Sequence, residues 1–259
     1  MSFLSGPLPR IIAHRGLAVD APENTLLAFL RALNAGATHL ETDVHASADG
    51  VAVISHDPDL GRIAGRDARI DKLSMAELRR IRLPHGQTIC SLAEALDAFP
   101  EARFNLDIKD VNAAAPAAEA IRDARATSRV LIASFDERRR RAAADALPGV
   151  ASSASVRRLL PAVAGAKLGM TGAAHRSLRG LVAVQVPERR GLLRLVTPRT
   201  VRRLHAAGVE VHVWTVNDPA TMSRLLDWGV DGLVTDRCDL LKKLVDARIR
   251  PESALGETP

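Results

Sequence analysis

The segment His14-Arg15-Gly16 sets a titratable imidazole, a permanent cation and a flexible backbone position side by side. A phosphate ester can use all three, because imidazole transfers protons near neutral pH, guanidinium binds two oxyanion oxygens, and glycine allows the backbone to approach closely. The segment follows the apolar run 10–13, which is typical of a strand. It therefore predicts a phosphate-directed group at the carboxyl end of that strand.

A second segment, Glu41-Thr42-Asp43, lies within the predicted strand 39–45. Side chains alternate across a strand, so the two carboxylates share one face. Neighbouring acids inside a sheet are costly unless water or a cation compensates them. Either a solvated strand end or a hard divalent ion with oxygen ligands satisfies that requirement.

A hairpin brings a further imidazole toward this acidic pair. Asp49-Gly50 is typical of a two-residue turn joining the runs 39–45 and 51–55. With that turn Ala48 pairs with Val51, and counting outward places His56 opposite Asp43 on the same face. The hairpin therefore predicts that a second histidine lies beside the carboxylates.

A third strand end carries Asp107 and Lys109, which share a face of the predicted strand 103–108 and its extension. A single buried Asp–Lys pair is usually structural. Here it is the third strand to direct charged groups toward the same end, so a common site is favoured.

Short apolar runs alternate with longer amphipathic segments along most of the chain, as in repeated strand–helix units. The predicted strands are 10–13, 39–45, 51–55, 103–108, 130–134, 149–153, 181–186, 210–215 and 232–235. The predicted helices are 25–35, 74–81, 91–99, 113–125, 137–147, 198–207, 220–228 and 240–248.

Nine strand runs are one more than an eight-stranded barrel needs, and the returning arm 51–55 of the hairpin accounts for the surplus. We therefore expect an α/β fold, a (β/α)₈ barrel rather than a doubly wound sheet. One domain spans 1–259, with a core of about 10–249 and a frayed polar tail 250–259.

The 259-residue chain is 47% hydrophobic and carries 36 Lys and Arg against 30 Asp and Glu, which excludes a disordered or collagen-like protein. Two cysteines are too few for a disulfide framework. No apolar run is long enough for a signal peptide or a membrane span, so we expect a cytoplasmic protein without stable membrane insertion.

Arginine occurs in clusters at 138–141, 157–158, 189–190 and 202–203. The clusters reflect either an arginine-rich composition or a surface that attracts anions such as nucleic acid or phospholipid headgroups. No aromatic residues are interleaved with them, which argues against binding of single strands by base stacking, and we expect no nucleic-acid partner.

Taken together, the motifs resemble those of the glycerophosphodiester phosphodiesterases, a family of (β/α)₈ enzymes that hydrolyse glycerophosphodiesters. The matching segments occur in the family's order: His14-Arg15-Gly16, Pro22-Glu23-Asn24-Thr25, Glu41-Thr42-Asp43, His56-Asp57, Asp107-Ile108-Lys109, Trp214-Thr215-Val216-Asn217 and Gly232-Leu233-Val234-Thr235-Asp236. The resemblance implies release of an alcohol and sn-glycerol 3-phosphate from a small-molecule glycerophosphodiester.

The same resemblance implies roles for the charged residues. His14 and His56 would be the general acid and base, and Arg15 and Lys109 would bind the phosphate. Whether water or the glycerol 2-hydroxyl is the nucleophile stays open.

A divalent cation, Mg²⁺ or Ca²⁺, would be held by Glu41, Asp43 and Asp107. Many family members have Glu where this chain has Asp107, whose side chain is shorter by one methylene. By the resemblance, Asp107 would therefore hold the ion directly, hold it through water or shift its position.

Three further residues are candidates for the substrate pocket. By the resemblance Trp214 lines the pocket near the glycerol. Phe135 forms an apolar wall or packs in the core, and Glu23 contacts the site or belongs to a helix start. The segment 58–101 corresponds to the family's variable insertion over the carboxyl-terminal face.

Other activities are compatible with parts of this pattern. A lysophospholipase D acting on single-chain lipids is an alternative within the superfamily. A Schiff-base aldolase would use Lys109 but would not need two carboxylates and two histidines around an ion. A non-catalytic anion-binding module would use the arginine clusters alone. Oligomeric state and headgroup preference are left open by the sequence.

Overall fold

The computed structural model describes residues 2–249, so the predicted tail 250–259 lies outside the described residues. The strands are β1 (Arg10–His14), β2 (His39–Ala46), β3 (Ala52–Ile54), β4 (Phe104–Ile108), β5 (Val130–Ala133), β6 (Ala151–Ser152), β7 (Ala183–Pro187), β8 (Arg189–Arg190), β9 (Leu193–Arg194), β10 (Glu210–Trp214) and β11 (Gly232–Thr235). The α-helices are α1 (Leu26–Asn34), α2 (Gly61–Ala64), α3 (Met75–Leu78), α4 (Leu92–Ala98), α5 (Ala114–Asp123), α6 (Glu137–Ala144), α7 (Val156–Leu168), α8 (Thr171–Leu178), α9 (Pro198–His205), α10 (Pro219–Asp227) and α11 (Cys238–Ile249).

Eight parallel strands form the central sheet in the order β6-β5-β4-β2-β1-β11-β10-β7. A parallel bridge between Ser153 and Ala183 joins the two outer strands and closes the sheet into a barrel. Strand β3 pairs antiparallel with β2 outside this ring. The predicted (β/α)₈ barrel with one returning arm is therefore confirmed.

Helix α1 shows why the outer layer forms. Thr25 caps its first turn by accepting a hydrogen bond from Ala28 N, and Ala28, Phe29 and Ala32 are buried against the strands. Gly36 follows the helix with φ +90°, a conformation that glycine adopts without strain. Apolar stripes of this kind, packed on the apolar outer faces of the strands, make one continuous core.

The segment 58–101 divides into two parts. Its first part has a separate apolar cluster that includes Leu60, Ile70, Met75 and Leu78 and packs on β3 through Val53. Its last helix, α4, packs instead into the main barrel core. The first part is therefore an added lobe beside β2 and β3, and α4 is one of the barrel's own helices.

The register predicted for the hairpin is wrong by one residue. Ala46 pairs with Ala52 and Val44 pairs with Ile54, so Asp43 lies opposite Ser55 rather than His56. The turn holds three residues because the Ser47 hydroxyl accepts a hydrogen bond from Val51 N at 2.9 Å. Gly50 takes the left-handed conformation that closes such a loop, with φ +76°.

Three helices and one small hairpin have no counterpart among the predicted elements, and one of these helices is the short α2 of the added lobe. Helices α7 and α8 fill the interval between β6 and β7, and β8 pairs with β9 just after β7. Gly165 permits the close packing of α7 on α8, because a Cβ there would lie 3.1 Å from the Met170 carbonyl oxygen. Among residues 2–249, no helix is both long and apolar enough to cross a membrane.

Candidate active site

One cavity of about 550 Å³ opens at the carboxyl ends of the strands. Nine of the ten predicted site residues border it: His14, Arg15, Glu41, Asp43, His56, Asp107, Lys109, Phe135 and Trp214. The tenth, Glu23, does not border it. Carboxyl ends of parallel strands meet at one face of a barrel, which explains why residues so distant in sequence converge here.

His14 ends β1 and is oriented by a carboxylate. Its Nδ1 donates to Asp236 Oδ1 at 2.7 Å, and its Nε2 lies 4.0 Å from Glu41 Oε2. Burial lowers the pKa of His14, but the hydrogen bond to Asp236 and the charge of Glu41 outweigh burial and the pKa is raised. A histidine held in this way can give or take a proton at Nε2.

His56 is held in a similar way. Its Nδ1 donates to Asp57 Oδ1 at 2.7 Å, and Arg62 in turn donates to Asp57 Oδ2 at 2.6 Å. Within residues 2–249 no hydrogen bond to a protein group fixes its Nε2. His56 thus reaches the cavity although the predicted register is wrong, because β3 ends at Ile54 and the chain then turns away from the ladder.

Arg15 has an unusual backbone that directs its side chain. Its φ is +57°, in the left-handed region that is costly for a residue with a Cβ. Its backbone N–H donates to Glu41 Oε2 at 3.1 Å, and its Nε lies 3.3 Å from Asp43 Oδ2. Gly16 follows with φ +83°, and a Cβ there would lie 2.7 Å from Ala28 carbonyl carbon, so this tight passage under α1 requires glycine.

Lys109 stands between two carboxylates. Its Nζ is 2.8 Å from Asp43 Oδ1 and 2.7 Å from Asp107 Oδ2. Burial lowers the pKa of Lys109, but the two carboxylates outweigh burial and raise it, so the ammonium stays charged. The second oxygen of Asp107, Oδ1, is buried and has no hydrogen-bond partner within residues 2–249.

Negative charge in this cluster is incompletely compensated. Burial, and after it the charge of Asp43, raises the pKa of Glu41. Burial also raises the pKa of Asp107 in spite of the neighbouring Lys109. Asn24 Nδ2 donates to Asp43 Oδ2 at 3.2 Å and supplies a neutral contact only.

The positions of the carboxylates and of Lys109 can be compared with what the predicted cation would need. Among residues 2–249, no three His, Cys, Asp or Glu side chains are placed to hold a metal ion, because Lys109 lies between two of the predicted ligands. The donor set nevertheless suits a hard cation. All three donors, Glu41, Asp43 and Asp107, are carboxylates, and Asp107 Oδ1 has no hydrogen-bond partner among residues 2–249. Burial, and after it the charge of Asp43, raises the pKa of Glu41, so a bound cation would stabilise its charged form.

Phe135 and Trp214 form an aromatic wall of the cavity. Their ring centroids are 5.6 Å apart with planes at 72°, an edge-to-face contact. Phe135 is 56% exposed, and Lys109 Nζ lies 5.8 Å from its ring centroid. Such a wall can pack against the carbon skeleton of a small polyol while the cations hold its charged end.

Glu23 lies behind Arg15 rather than in the cavity. Its carboxylate accepts from Arg15 Nη1 at 3.0 Å and from Arg62 Nη2 at 2.6 Å. Burial raises the pKa of Glu23, but the two guanidinium groups outweigh burial and lower it. Its position suits it to holding Arg15, and direct contact with substrate stays a prediction.

Several polar residues of the site were not predicted. Asp236 holds His14, and its place directly after β11 was a signal that could have identified it. Asn105 and Gln185 border the cavity, and in the described part of the chain their buried Oδ1 and Nε2 atoms have no hydrogen-bond partner. Only closure of the barrel shows that these two amides face the site.

A second cleft, of about 500 Å³, adjoins the first at His56 and Lys109. It is bordered by residues of the added lobe, among them Arg69 and Asp71, and by Arg139 of α6. Its floor includes His45, whose Nε2 lies 3.2 Å from the His56 carbonyl oxygen. His56 and Lys109 are therefore reached from two sides.

Comparison with known proteins agrees with this geometry. Residues 14–240 match the Glycerophosphoryl diester phosphodiesterase family. The chain is 44% identical over 239 residues to a Probable glycerophosphodiester phosphodiesterase 2 from Mycobacterium tuberculosis, covering 92% of this chain and 90% of that one.

Two solved structures share the fold. A putative glycerophosphoryl diester phosphodiesterase from Silicibacter pomeroyi has a TM-score of 0.77 and 24% identity, covering 94% of this chain and 95% of that one. An Oleispira antarctica phosphodiesterase, in complex with the product sn-glycerol-3-phosphate, has a TM-score of 0.74 and 24% identity, covering 92% and 97%. With motifs, fold and strand-end geometry in agreement, this chain belongs to the glycerophosphoryl diester phosphodiesterase family and is an enzyme of that class.

Proposed function

We propose that this enzyme hydrolyses a glycerophosphodiester to an alcohol and sn-glycerol 3-phosphate, with His14 and His56 as general acid and base. The observation that carries the proposal is the pair of histidines, each oriented at Nδ1 by a carboxylate and both bordering one cavity. That arrangement leaves Nε2 of each ring to handle a proton.

Two steps of diester cleavage need proton transfer, and the two imidazoles match them. One accepts the proton of the attacking hydroxyl or water, and the other protonates the leaving alkoxide. The raised pKa of His14 suits it to the acid role. Arg15 and Lys109 bind the non-bridging oxygens, where charge develops.

The aromatic wall and the carboxylates orient the two ends of the substrate. Phe135 and Trp214 pack against the glycerol carbons, and Glu41, Asp43 and Asp107 would hold a divalent cation, Mg²⁺ or Ca²⁺. When bound, such an ion acts as a Lewis acid on the phosphate oxygens. The unpartnered Asp107 Oδ1 and the raised pKa of Glu41 support this assignment.

The apolar side of the cavity favours a second substrate class. Val156, Leu159, Leu160 and Leu195 border it in addition to the aromatic wall. A glycerophosphodiester with a short polar headgroup does not use such a surface, whereas a lysophospholipid could lay its acyl chain on it. Hydrolysis of lysophosphatidylcholine alongside glycerophosphocholine tests this lysophospholipase D activity.

We also propose that the enzyme acts in the cytoplasm, where its two cysteines would stay reduced. Both Cys90 and Cys238 are buried and free. Unpaired buried cysteines are typical of reducing compartments.

The proposal is tested by His14→Ala and His56→Ala, assayed on glycerophosphocholine with Mg²⁺, Ca²⁺ and EDTA. Each substitution should lower kcat by roughly 10²–10⁴-fold. His175→Ala, at an exposed position on α8, is the matched control and should leave kcat unchanged. Full activity of either cavity variant would refute the acid–base assignment, and full activity in EDTA would refute the cation.

A further inference from the structure

The hairpin β8–β9 projects an apolar tip beside the mouth of the active-site cavity. Its turn is Gly191-Leu192, with Gly191 at φ +60°. Leu192 is 100% exposed and the next residue, Leu193, is 57% exposed. Isolated exposed leucines are common, but two in succession at the end of a protruding turn leave apolar surface that nothing in residues 2–249 covers.

The base of this hairpin is firmly fixed. Glu188 accepts from Arg224 Nη2 at 3.0 Å and lies 3.4 Å from Arg194 Nε. The Arg194 guanidinium also lies 5.3 Å from the ring centroid of Trp228. A short two-stranded ribbon is marginal alone, so these contacts stabilise the base from which the tip projects.

Apolar side chains continue around the mouth from this tip. Val156 and Leu160, in the first turns of α7, are 37% and 46% exposed, and Phe135 is 56% exposed. All three border the active-site cavity, as does Arg190 of the hairpin. The hairpin and α7 thus form two sides of one rim.

Arginines are interspersed with these apolar residues. Arg157, Arg189 and Arg190 are exposed, and they belong to two of the clusters noted in the sequence. Among residues 2–249 these three arginines form one ion pair only, a long one of 3.8 Å between Arg189 Nε and Glu188 Oε1. Apolar side chains flanked by cations are typical of surfaces that enter the headgroup region of an anionic bilayer.

We propose that the rim formed by the β8–β9 hairpin and the start of α7 docks this enzyme onto an anionic phospholipid surface. Leu192 and Leu193 enter the interface while Arg157 and Arg189 bind lipid headgroups. Docking faces the mouth of the cavity toward the bilayer, so that a lipid-derived diester enters without crossing bulk water. The contact is peripheral and reversible.

The binding test uses the full chain and vesicles of phosphatidylglycerol with phosphatidylcholine, compared with phosphatidylcholine alone, in a sedimentation assay. The double variant Leu192→Glu/Leu193→Glu should bind the anionic vesicles at least about tenfold more weakly. Arg157→Gln/Arg189→Gln should lose about fivefold per charge and show weaker salt dependence. Leu30→Glu, on the exposed face of α1 at 47% exposure, is the matched control and should bind as the unaltered enzyme does.

Two readouts keep this proposal separate from the proposed reaction. Neither Leu192 nor Leu193 borders the cavity, so the double variant should hydrolyse soluble glycerophosphocholine at the unaltered rate. The docking proposal would be overturned, whatever the enzyme's activity, if the unaltered enzyme bound both vesicle types equally. It would also be overturned if Leu30→Glu weakened vesicle binding as much as the double leucine variant does. Should the double leucine variant fail to fold, the arginine pair decides the question alone.

Discussion

Both ends of the barrel bury charged side chains, but they compensate them differently. Where the strands begin, Arg10 is 3% exposed and donates to Glu210 Oε1 at 2.8 Å and to the Gly6 carbonyl oxygen at 2.9 Å. His212 Nε2 lies 3.0 Å from the same carboxylate. Apart from His212 Nδ1, this group is internally satisfied.

Where the strands end, four buried polar atoms of cavity residues have no hydrogen-bond partner among residues 2–249: Asp107 Oδ1, Asn105 Oδ1, Gln185 Nε2 and Arg15 Nε. The carboxylates show the contrast most clearly. Burial raises the pKa of Glu41, whereas His212 and Arg10 outweigh burial and lower the pKa of Glu210 to about 2. The charged groups where the strands begin are neutralised by protein partners, whereas those where the strands end are left for a ligand to neutralise.

The sharpest test of this contrast is Glu41→Gln at the mouth. Removing a carboxylate that is repelled by Asp43 should leave the melting temperature in EDTA unchanged or raise it by about 2–4 °C, equivalent to ~1 kcal/mol. Activity on glycerophosphocholine should fall at least about 100-fold. A variant that is markedly less stable but still active would show that Glu41 stabilises the fold, as Glu210 does, and would contradict the difference between the two ends.

The matching change at the other end is Glu210→Gln. At pH 7 it leaves Arg10 without its buried counter-charge, so the free energy of unfolding should fall by about 3 kcal/mol or more. Its kcat, measured where the variant is folded, should be unchanged.

The stability that Glu210→Gln loses should depend on pH. The pKa of Glu210 is lowered in the fold, so its stabilisation is present above its unfolded pKa and disappears as pH falls toward about 2. Thermal unfolding at pH 7, 5 and 3 should therefore show the variant and the unaltered enzyme converging in acid. Asp145→Asn, in an exposed pair with Arg141, is the control and should differ by less than about 1 kcal/mol at every pH.

Sequence reasoning succeeded where strand geometry alone decides the outcome. Alternation and the common direction of parallel strands are enough to bring His14, Asp43 and Lys109 to one end of the barrel. No knowledge of the helices or of the added lobe is needed for that conclusion.

The predictions from the sequence were wrong where one side chain or a tertiary contact decides the local structure. The Ser47 hydroxyl enlarges the turn and shifts the hairpin register, and a two-residue turn signal does not reveal it. Helix α7 contains Pro161 and Gly165, which favour a loop in isolation, yet packing against α8 sustains it. Asp236 is absent from the predicted site, although its segment is one of the matching motifs, because only the folded barrel brings its carboxylate to His14.

The smallest expected effect tests the unpartnered amides. Gln185→Leu removes an Nε2 donor that has no partner among residues 2–249, and with it an Oε1 acceptor 3.4 Å from Ser153 Oγ, so the free energy of unfolding should change by less than about 1 kcal/mol. If Gln185 Nε2 binds a substrate hydroxyl, KM for glycerophosphocholine should rise by roughly 2–10-fold with kcat little changed, the worth of one neutral hydrogen bond. A fall in melting temperature with KM unaltered would instead mean that Gln185 supports the barrel wall, as Arg10 does at the other end.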